Sequence, residues 1–341
     1  MANNVDEIFA GNLPGSSNQD GVWKGIKTFP NGSLKMGLNF DGHGAHGNMV
    51  TRIATSIMGS YLDEIGSEFI DMTSVERQAF LQQITNQAHD AIFASINTSQ
   101  GGCTMAGAIQ ITFPDERKVL VSFNLGDTQI GIISPDTFTP VYQEHSASSL
   151  EEFTRISKLP EETRGKLVYN QNRVHNKYKD AMPVFQPDGT KTPIPVIKVT
   201  LPNGSIGEQP VVPNGNYCNV DFEFGTYLVF SRPYDFSDSM CCANTRGLGD
   251  ILHHNHGVVH EIYYTETELK ETDLFVILFT DGVGDVNKNT EIGSHFMQLH
   301  AGKTLAEAGQ ALLEDARGKW TSLFGCKPGK GDDTSCVVWH I

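Results

Sequence analysis

The sequence lacks any apolar run approaching the roughly eighteen residues of a membrane-spanning helix, so no span is expected. Its first residues, MANNVDEIFAGN, have neither a basic start nor an apolar stretch, which argues against a secretory signal. Residue 2 is Ala rather than Gly, which removes the N-myristoylation signal. Cysteine is sparse, 6 in 341 residues, as in chains kept in a reducing compartment. A cytoplasmic location is therefore expected, with the nucleus left open. No cysteine has an arginine six positions on, so the phosphate loop of the thiolate phosphatases is missing. Basic residues are also few, 25 Lys and Arg against 40 Asp and Glu, for a net charge of −15. That balance disfavours a nucleic-acid or anionic-membrane partner. It leaves anionic substrates open, because a bound cation inverts the local field.

What is present is enough apolar material, 39% of residues, to build a real core. Residues 33–40 alternate Leu34, Met36, Leu38 and Phe40, the pattern of a half-buried strand. A glycine-rich run, DGHGAHG at 41–47, follows it. Ile53, Ile57, Tyr61 and Ile65 then recur every four residues and predict a helix with one apolar face. Thr73 with Glu76 predicts a capping box that opens a second helix, its inner face Phe80, Ile84, Ala88 and Ile92. Residues 118–134 read as two strands of a hairpin around Gly126-Asp127. Residues 274–280 (LFVILFT) predict a strand buried on both faces, Leu305, Ala308, Leu312 and Ala316 a late helix, and 336–341 a closing strand. Between 151 and 239 lie three Pro-x-Gly turns, at 187–189, 202–204 and 213–215, with short β-rich pieces between them. This stretch reads as an extended flap within one domain, 1–341, and not as a second packed unit. The order of elements does not alternate strand and helix, so largely antiparallel sheets with helices outside are expected.

Gly42 to Gly47 matches G-x-G-x-x-G, follows a strand, precedes a helix and has Asp63 about twenty residues on, the dinucleotide-binding pattern. Two features oppose that reading. Asp41 would set a carboxylate beside the pyrophosphate, and the elements that follow are not a βαβ unit. The aspartates make a better pattern. Asp20, Asp41, Asp281 and Asp332 each sit at the edge of a predicted strand among small or polar residues, with Asp127 and Asp285 a looser fifth and sixth. Any one could cap a turn. Together, at the ends of apolar strands without nearby Lys or Arg, they need a cation to offset their repulsion. Oxygen-only ligands select Mg²⁺ or Mn²⁺ over zinc.

Six ordered blocks, NQD, DGHG, GD, RGLGD, DGxxD and GDDTS, run from Gln19 to Ser335. In that order they resemble the metal-dependent serine/threonine phosphatases of the protein phosphatase 2C (PPM) family. The resemblance implies an α+β fold, a four-layer α-β-β-α sandwich of two mainly antiparallel sheets flanked by helices. It implies that Asp41 bridges two Mg²⁺ or Mn²⁺ ions, that the Gly42 carbonyl ligates one, and that Asp281 and Asp332 hold the other. Asp20 then stands in or beside this shell, and Asp127 with Asp285 supports a third, weaker metal site. The activity implied is hydrolysis of phosphoserine and phosphothreonine on protein substrates by a hydroxide bridging the two metals. His43, whose ordinary pKa lies near neutrality, is placed to protonate the leaving oxygen. The 246–250 block is implied to be mainly structural, and a monomer is expected. A catalytically inactive binding module on the same fold is the alternative.

The chain departs from the family pattern in places. Gln19 stands where Glu is common, and Gly15 where an arginine often meets the substrate phosphate, which leaves Lys24 as a weak substitute. Asp332-Asp333 replaces the commoner Asp-Asn, so Asp333 rivals Asp332 as ligand. His253, His254 and His256 lack partnering Cys or His spacing and read as a solvated loop. Adjacent Cys241 and Cys242 cannot pair without strain and read as reduced.

Overall fold

Alternation along Gly32–His43 buries Leu34, Met36, Leu38 and Phe40 completely. This strand carries the acidic loop and lies near the centre of a six-stranded antiparallel sheet. In the computed structural model that sheet runs Tyr263–Glu268, Lys118–Leu125, Gly102–Thr112, Gly32–His43, Gly21–Phe29, with the short Leu248–Gly249 added beside Gly102–Thr112. A second, five-stranded antiparallel sheet runs Ile8–Leu13, Thr334–His340, Phe275–Phe279, Gln129–Ser134, Thr137–Pro140. The structure describes residues 8–14, 18–95, 101–135, 137–146, 149–160, 166–170, 183–185, 191–193, 196–200, 206–210, 226–230, 241–254, 256–324 and 331–341.

Three apolar layers hold the sheets and helices together. Between the sheets lie Ala106, Ala108, Leu120, Ile130, Ile132, Val276, Leu278, Val337 and Trp339. Trp339 is fully buried there, and its indole N–H donates to Gln110 Oε1 at 2.9 Å, so its one polar atom is satisfied. The helices Gly47–Glu64 and Ser74–Ser95 cover the outer face of the larger sheet. Asn289–His300 and Leu305–Phe324 cover the outer face of the smaller one. The architecture is the expected α+β sandwich of two antiparallel sheets flanked by helices.

Local signals place most elements correctly. Thr73 and Glu76 form the reciprocal capping box: Thr73 N–H donates to Glu76 Oε2 at 2.8 Å, and Glu76 N–H to Thr73 Oγ1 at 3.3 Å. Leu305, Ala308, Leu312 and Ala316 are all buried, and all five residues of Phe275–Phe279 are buried. Two expectations need correction. The deepest line of the first helix is Val50, Ala54, Met58 and Leu62, while Ile53, Ile57 and Tyr61 are only partly buried against the same core. And Gly126-Asp127 is not a hairpin. The strands it joins, Lys118–Leu125 and Gln129–Ser134, belong to different sheets, so the chain crosses here from one layer to the other. Gly126 takes φ +81°, a backbone that favours glycine.

In the 151–239 stretch, Pro183–Phe185 pairs with Lys191–Pro193, and Val196–Thr200 with Ile206–Pro210, as antiparallel hairpins. Lys166–Asn170, Thr226–Phe230 and Cys241–Cys242 form a three-stranded sheet. The three Pro-x-Gly turns lie outside the described residues.

The helix Leu150–Ser157 ties the start of this stretch to the RGLGD block. Glu152 is fully buried and accepts from Arg246 through one carboxylate oxygen (3.0 and 2.6 Å) and from Arg155 through the other (3.1 and 2.6 Å), with Thr245 Oγ1 at 2.7 Å. Burial disfavours its charge, but hydrogen bonds from both guanidiniums and from Thr245 overcome this and hold its pKa at about 2. Glu152→Ala leaves two guanidiniums facing an empty pocket. It is expected to cost about 3 kcal/mol in urea unfolding at pH 7. Because the folded pKa is depressed, the stabilisation is complete above the ordinary 4.5 and is lost as pH falls toward about 2. The variant's deficit therefore shrinks in acid.

Candidate active site

The acidic residues meet where the two sheets share an end. A buried polar network joins the sheets beneath them. Ser335 Oγ donates to Asn39 Oδ1 at 2.7 Å, Asn39 Nδ2 donates to the Ser335 carbonyl at 3.2 Å, and Thr280 Oγ1 donates to Asp20 Oδ2 at 3.0 Å. Asn39 comes from the larger sheet, Ser335 from the smaller, and Thr280 from the end of the strand Phe275–Phe279. The network fixes Asp20 beside Asp41 and Asp281, which emerge one residue past Phe40 and Thr280. Gly282 lets the 280s pass against the 330s, since a Cβ there would lie 1.8 Å from the Asp333 carbonyl oxygen.

The side chains are close enough to perturb one another strongly. Asp41 is held well above the usual carboxylate range, by burial first and then by Asp281, Asp20 and Asp127, and it shares a hydrogen bond with Asp281. Asp20 is raised by burial and by Asp333 and Asp281, against hydrogen bonds from Ser335 and Thr280. Asp127 is pushed up to about 6 by burial and then by Glu144. Asp285, at the solvent edge, reaches about 8 through desolvation and repulsion from Asp281, Asp127, Asp332 and Glu144. The structure therefore brings Asp20, Asp41, Asp127, Asp281, Asp285 and Asp332 together at one place. Glu144 joins them without a motif that could have announced it.

Asp332 and Asp333 divide their work. Asp333 is buried, and its carboxylate accepts from the backbone N–H groups of Asn18 (3.1 Å) and Gln19 (2.6 Å), so it pins the loop that carries Asp20. Asp332 is exposed toward the cluster and repels Asp285. Gln19 donates from Nε2 to the Gly44 carbonyl at 2.8 Å and so holds the glycine loop. Lys24 donates to the Ile8 carbonyl at 2.5 Å, which commits its ammonium to the neighbouring strand.

The chemistry of the acidic donors suits hard cations. The donor set is entirely oxygen, the carboxylates raise one another's pKa, and Asp20 Oδ1 is buried without a hydrogen-bond partner. Each of these features is relieved by positive charge placed among them.

His43 stands at the rim, about a third exposed (34%), with Nε2 on both oxygens of Asp250 at 2.9 and 3.1 Å. Burial works against its charged form. The charge and hydrogen bond of Asp250 outweigh that, with help from Cys242, and keep the imidazolium well above the ordinary 6.5. Asp250 is correspondingly held low, its own burial overcome by His43. Asp250 adopts φ +49°, donates its backbone N–H to the Gly101 carbonyl at 3.0 Å, and fits only because Gly102 has no side chain: a Cβ would lie 2.2 Å from Asp250 Oδ2. The RGLGD block is thus not only a scaffold, since its last residue touches His43. The hint in the sequence is the Gly-Asp pair ending that block, but nothing local pairs it with a histidine 207 residues away.

The histidine tract also differs from a solvated loop. His253 is buried, and His254 packs its ring 4.3 Å from that of His89 and 5.3 Å from that of His260, centroid to centroid.

No family model matches the chain. It is 23% identical over 306 residues to "Probable protein phosphatase 2C 72" of Arabidopsis thaliana, covering 89% of this chain and 75% of that protein. It is 35% identical over 99 residues to "Probable protein phosphatase 2C 12" of Oryza sativa subsp. japonica, a stretch of 29% of this chain and only 24% of that one. Among solved structures, the serine-threonine phosphatase 2C from Toxoplasma gondii aligns with TM-score 0.57 and 15% identity over 98% of this chain and 99% of its own. The S. agalactiae serine/threonine phosphatase aligns with TM-score 0.55 and 17% identity over 98% of each. No helix among the described residues is long and apolar enough to cross a membrane. In sequence and in fold, the chain resembles the protein phosphatase 2C (PPM) family of serine/threonine phosphatases.

Proposed function

We propose that the chain hydrolyses phosphoserine and phosphothreonine monoesters on proteins, with two Mg²⁺ or Mn²⁺ ions held by Asp41, the Gly42 carbonyl, Asp281 and Asp332. The observation that carries this reading is the convergence of Asp20, Asp41, Asp281 and Asp332 at the shared end of two sheets, with His43 paired to Asp250 on the rim. When bound, the ions supply a water of lowered pKa and offset charge on the phosphoryl oxygens. Asp127 and Asp285 form the outer wall, where a third, weaker ion would sit.

The chain's own groups handle position and protons. Asp20 Oδ1, buried and unpartnered, accepts a hydrogen bond from the attacking water and orients it. Asp333 keeps its carboxylate on the Asn18 and Gln19 amides, which holds Asp20 in place and leaves Asp332 for the ion. His43 keeps Nε2–H on Asp250 and gives its Nδ1 proton to the departing seryl or threonyl oxygen. Asp250 acts through His43, as the group that keeps it charged.

The test is phosphate release from phosphoserine and phosphothreonine peptides. Release is expected with Mn²⁺ or Mg²⁺ and is expected to stop on chelation. Thermal stabilisation by Mn²⁺ without turnover would identify the inactive binding module instead. Neither stabilisation nor turnover would reject the hydrolase and favour an inactive module without the ions.

A further inference from the structure

The histidine cluster lies outside the acidic site and is not used by the reaction above. His89, buried in the helix Ser74–Ser95, faces His254 from the short helix Ile251–His254 and His260 from the loop beyond it. One ligand nitrogen from each lies within 4.8 Å of the other two. His89 Nδ1, His254 Nε2 and His260 Nδ1 are all buried and without hydrogen-bond partners. A single unpaired imidazole nitrogen in a protein interior is a modest cost, but three such histidines packed together make an arrangement that a common partner would satisfy.

We propose that His89, His254 and His260 form a second metal site, a three-histidine site for Zn²⁺. The donor chemistry separates it from the carboxylate site. Imidazole nitrogen suits zinc, whereas an all-oxygen set suits Mg²⁺ or Mn²⁺. The rings are also in the form a metal requires: burial, then the proximity of the other histidines, lowers His89 to about 3 and His254 to about 4, and burial lowers His260 as well.

The surroundings support the site. Gln82 clamps the loop to the helix that carries His89, with Nε2 donating to the His260 carbonyl at 3.0 Å and Oε1 accepting from Ile262 N–H at 2.9 Å. Asp90, Glu261 and Asp250 add negative charge around the cluster. His89 and His260 stack at 4.0 Å with only 11° between their planes. Bonds of about 2.0–2.1 Å to one ion would require the partly exposed His260 to rotate its ring out of the stack. His254 lies four residues beyond Asp250 and donates its backbone N–H to the Asp250 carbonyl at 3.2 Å. An ion here therefore also steadies the segment that holds His43.

The experiment adds Co²⁺, as a coloured substitute for zinc, to the full chain in excess Mg²⁺, which fills the carboxylate site. One equivalent is expected to give the intense visible absorption of a four-coordinate nitrogen-rich site, and Zn²⁺ is expected to abolish it by displacement. His260→Ala and His254→Gln are each expected to weaken Zn²⁺ binding at least about a hundredfold and to lose the absorption. Both variants should keep the thermal shift produced by Mn²⁺, which reports the folded protein and the separate acidic site. Absence of the absorption in the wild-type chain would overturn the proposal, whatever the variants do. So would its survival in both variants.

Discussion

Asp281→Asn is expected to melt at a higher temperature than the parent protein when metal is absent, while losing about 10³-fold or more of its Mn²⁺-dependent turnover. The two effects have one cause. Asp281 repels Asp41, Asp20 and Asp285, and each of these is driven upward in pKa by burial together with that repulsion. Removing one charge relieves the others by an amount on the order of 1 kcal/mol, which in a chain of this size reads as roughly 2 °C. The sign against pH follows. A carboxyl whose folded pKa is raised binds more protons folded than unfolded, so metal-free stability falls as pH rises from the ordinary 3.8 to the folded value. With Asp127 at about 6 and Asp285 at about 8, that fall extends across the neutral range. The variant should show a shallower fall. Mn²⁺ should stabilise the parent strongly and the variant little. A variant that melts lower without metal, or that keeps its full Mn²⁺ shift, would mean that Asp281 is a structural residue.

How far the sequence can reveal this molecule depends on the range of each signal. Alternation in 33–40, the capping box at Thr73 and the apolar run at 274–280 are local, and the corresponding elements stand where expected. The aspartates are legible because each belongs to a recognisable block at a strand edge. Gly126-Asp127 misleads because a glycine-aspartate turn looks the same whether its strands pair or part into two layers, and only the pairing of Gln129–Ser134 with Phe275–Phe279 decides it. The phase of the first helix is one residue out for a similar reason. Large side chains at Ile53, Ile57 and Tyr61 dominate the pattern, but the smaller Ala54 with Val50, Met58 and Leu62 makes the closest approach to the sheet. The contacts of His43 with Asp250, and of His89 with His254 and His260, join residues more than 160 positions apart. No periodicity or spacing rule spans that distance.

Asp250→Asn tests whether the histidine on the rim is a proton donor or merely a packed side chain. The substituted amide would keep an acceptor near Nε2 but remove the charge that outweighs the burial of His43. The His43 pKa should therefore fall, and the alkaline limb of the pH profile for a phosphoserine peptide should move to lower pH. At pH 8 the loss is expected to reach about 10²-fold, and it should become smaller as the pH is lowered and more of the rings are protonated. An aryl phosphate with a good leaving group needs little help from an acid, so its turnover should change far less. Stability should report the same pair. A histidine with a raised folded pKa adds stability that is complete below the ordinary 6.5 and is lost as pH rises through the folded value. The variant should lack that component, so its deficit in unfolding free energy should be greatest in mild acid and should shrink in alkali. His43→Ala should reproduce the ester selectivity and abolish the limb altogether. Equal losses on alkyl and aryl esters at both pH values would assign Asp250 and His43 to the scaffold, because only a proton transferred to the leaving oxygen makes the deficit depend on both the leaving group and the pH.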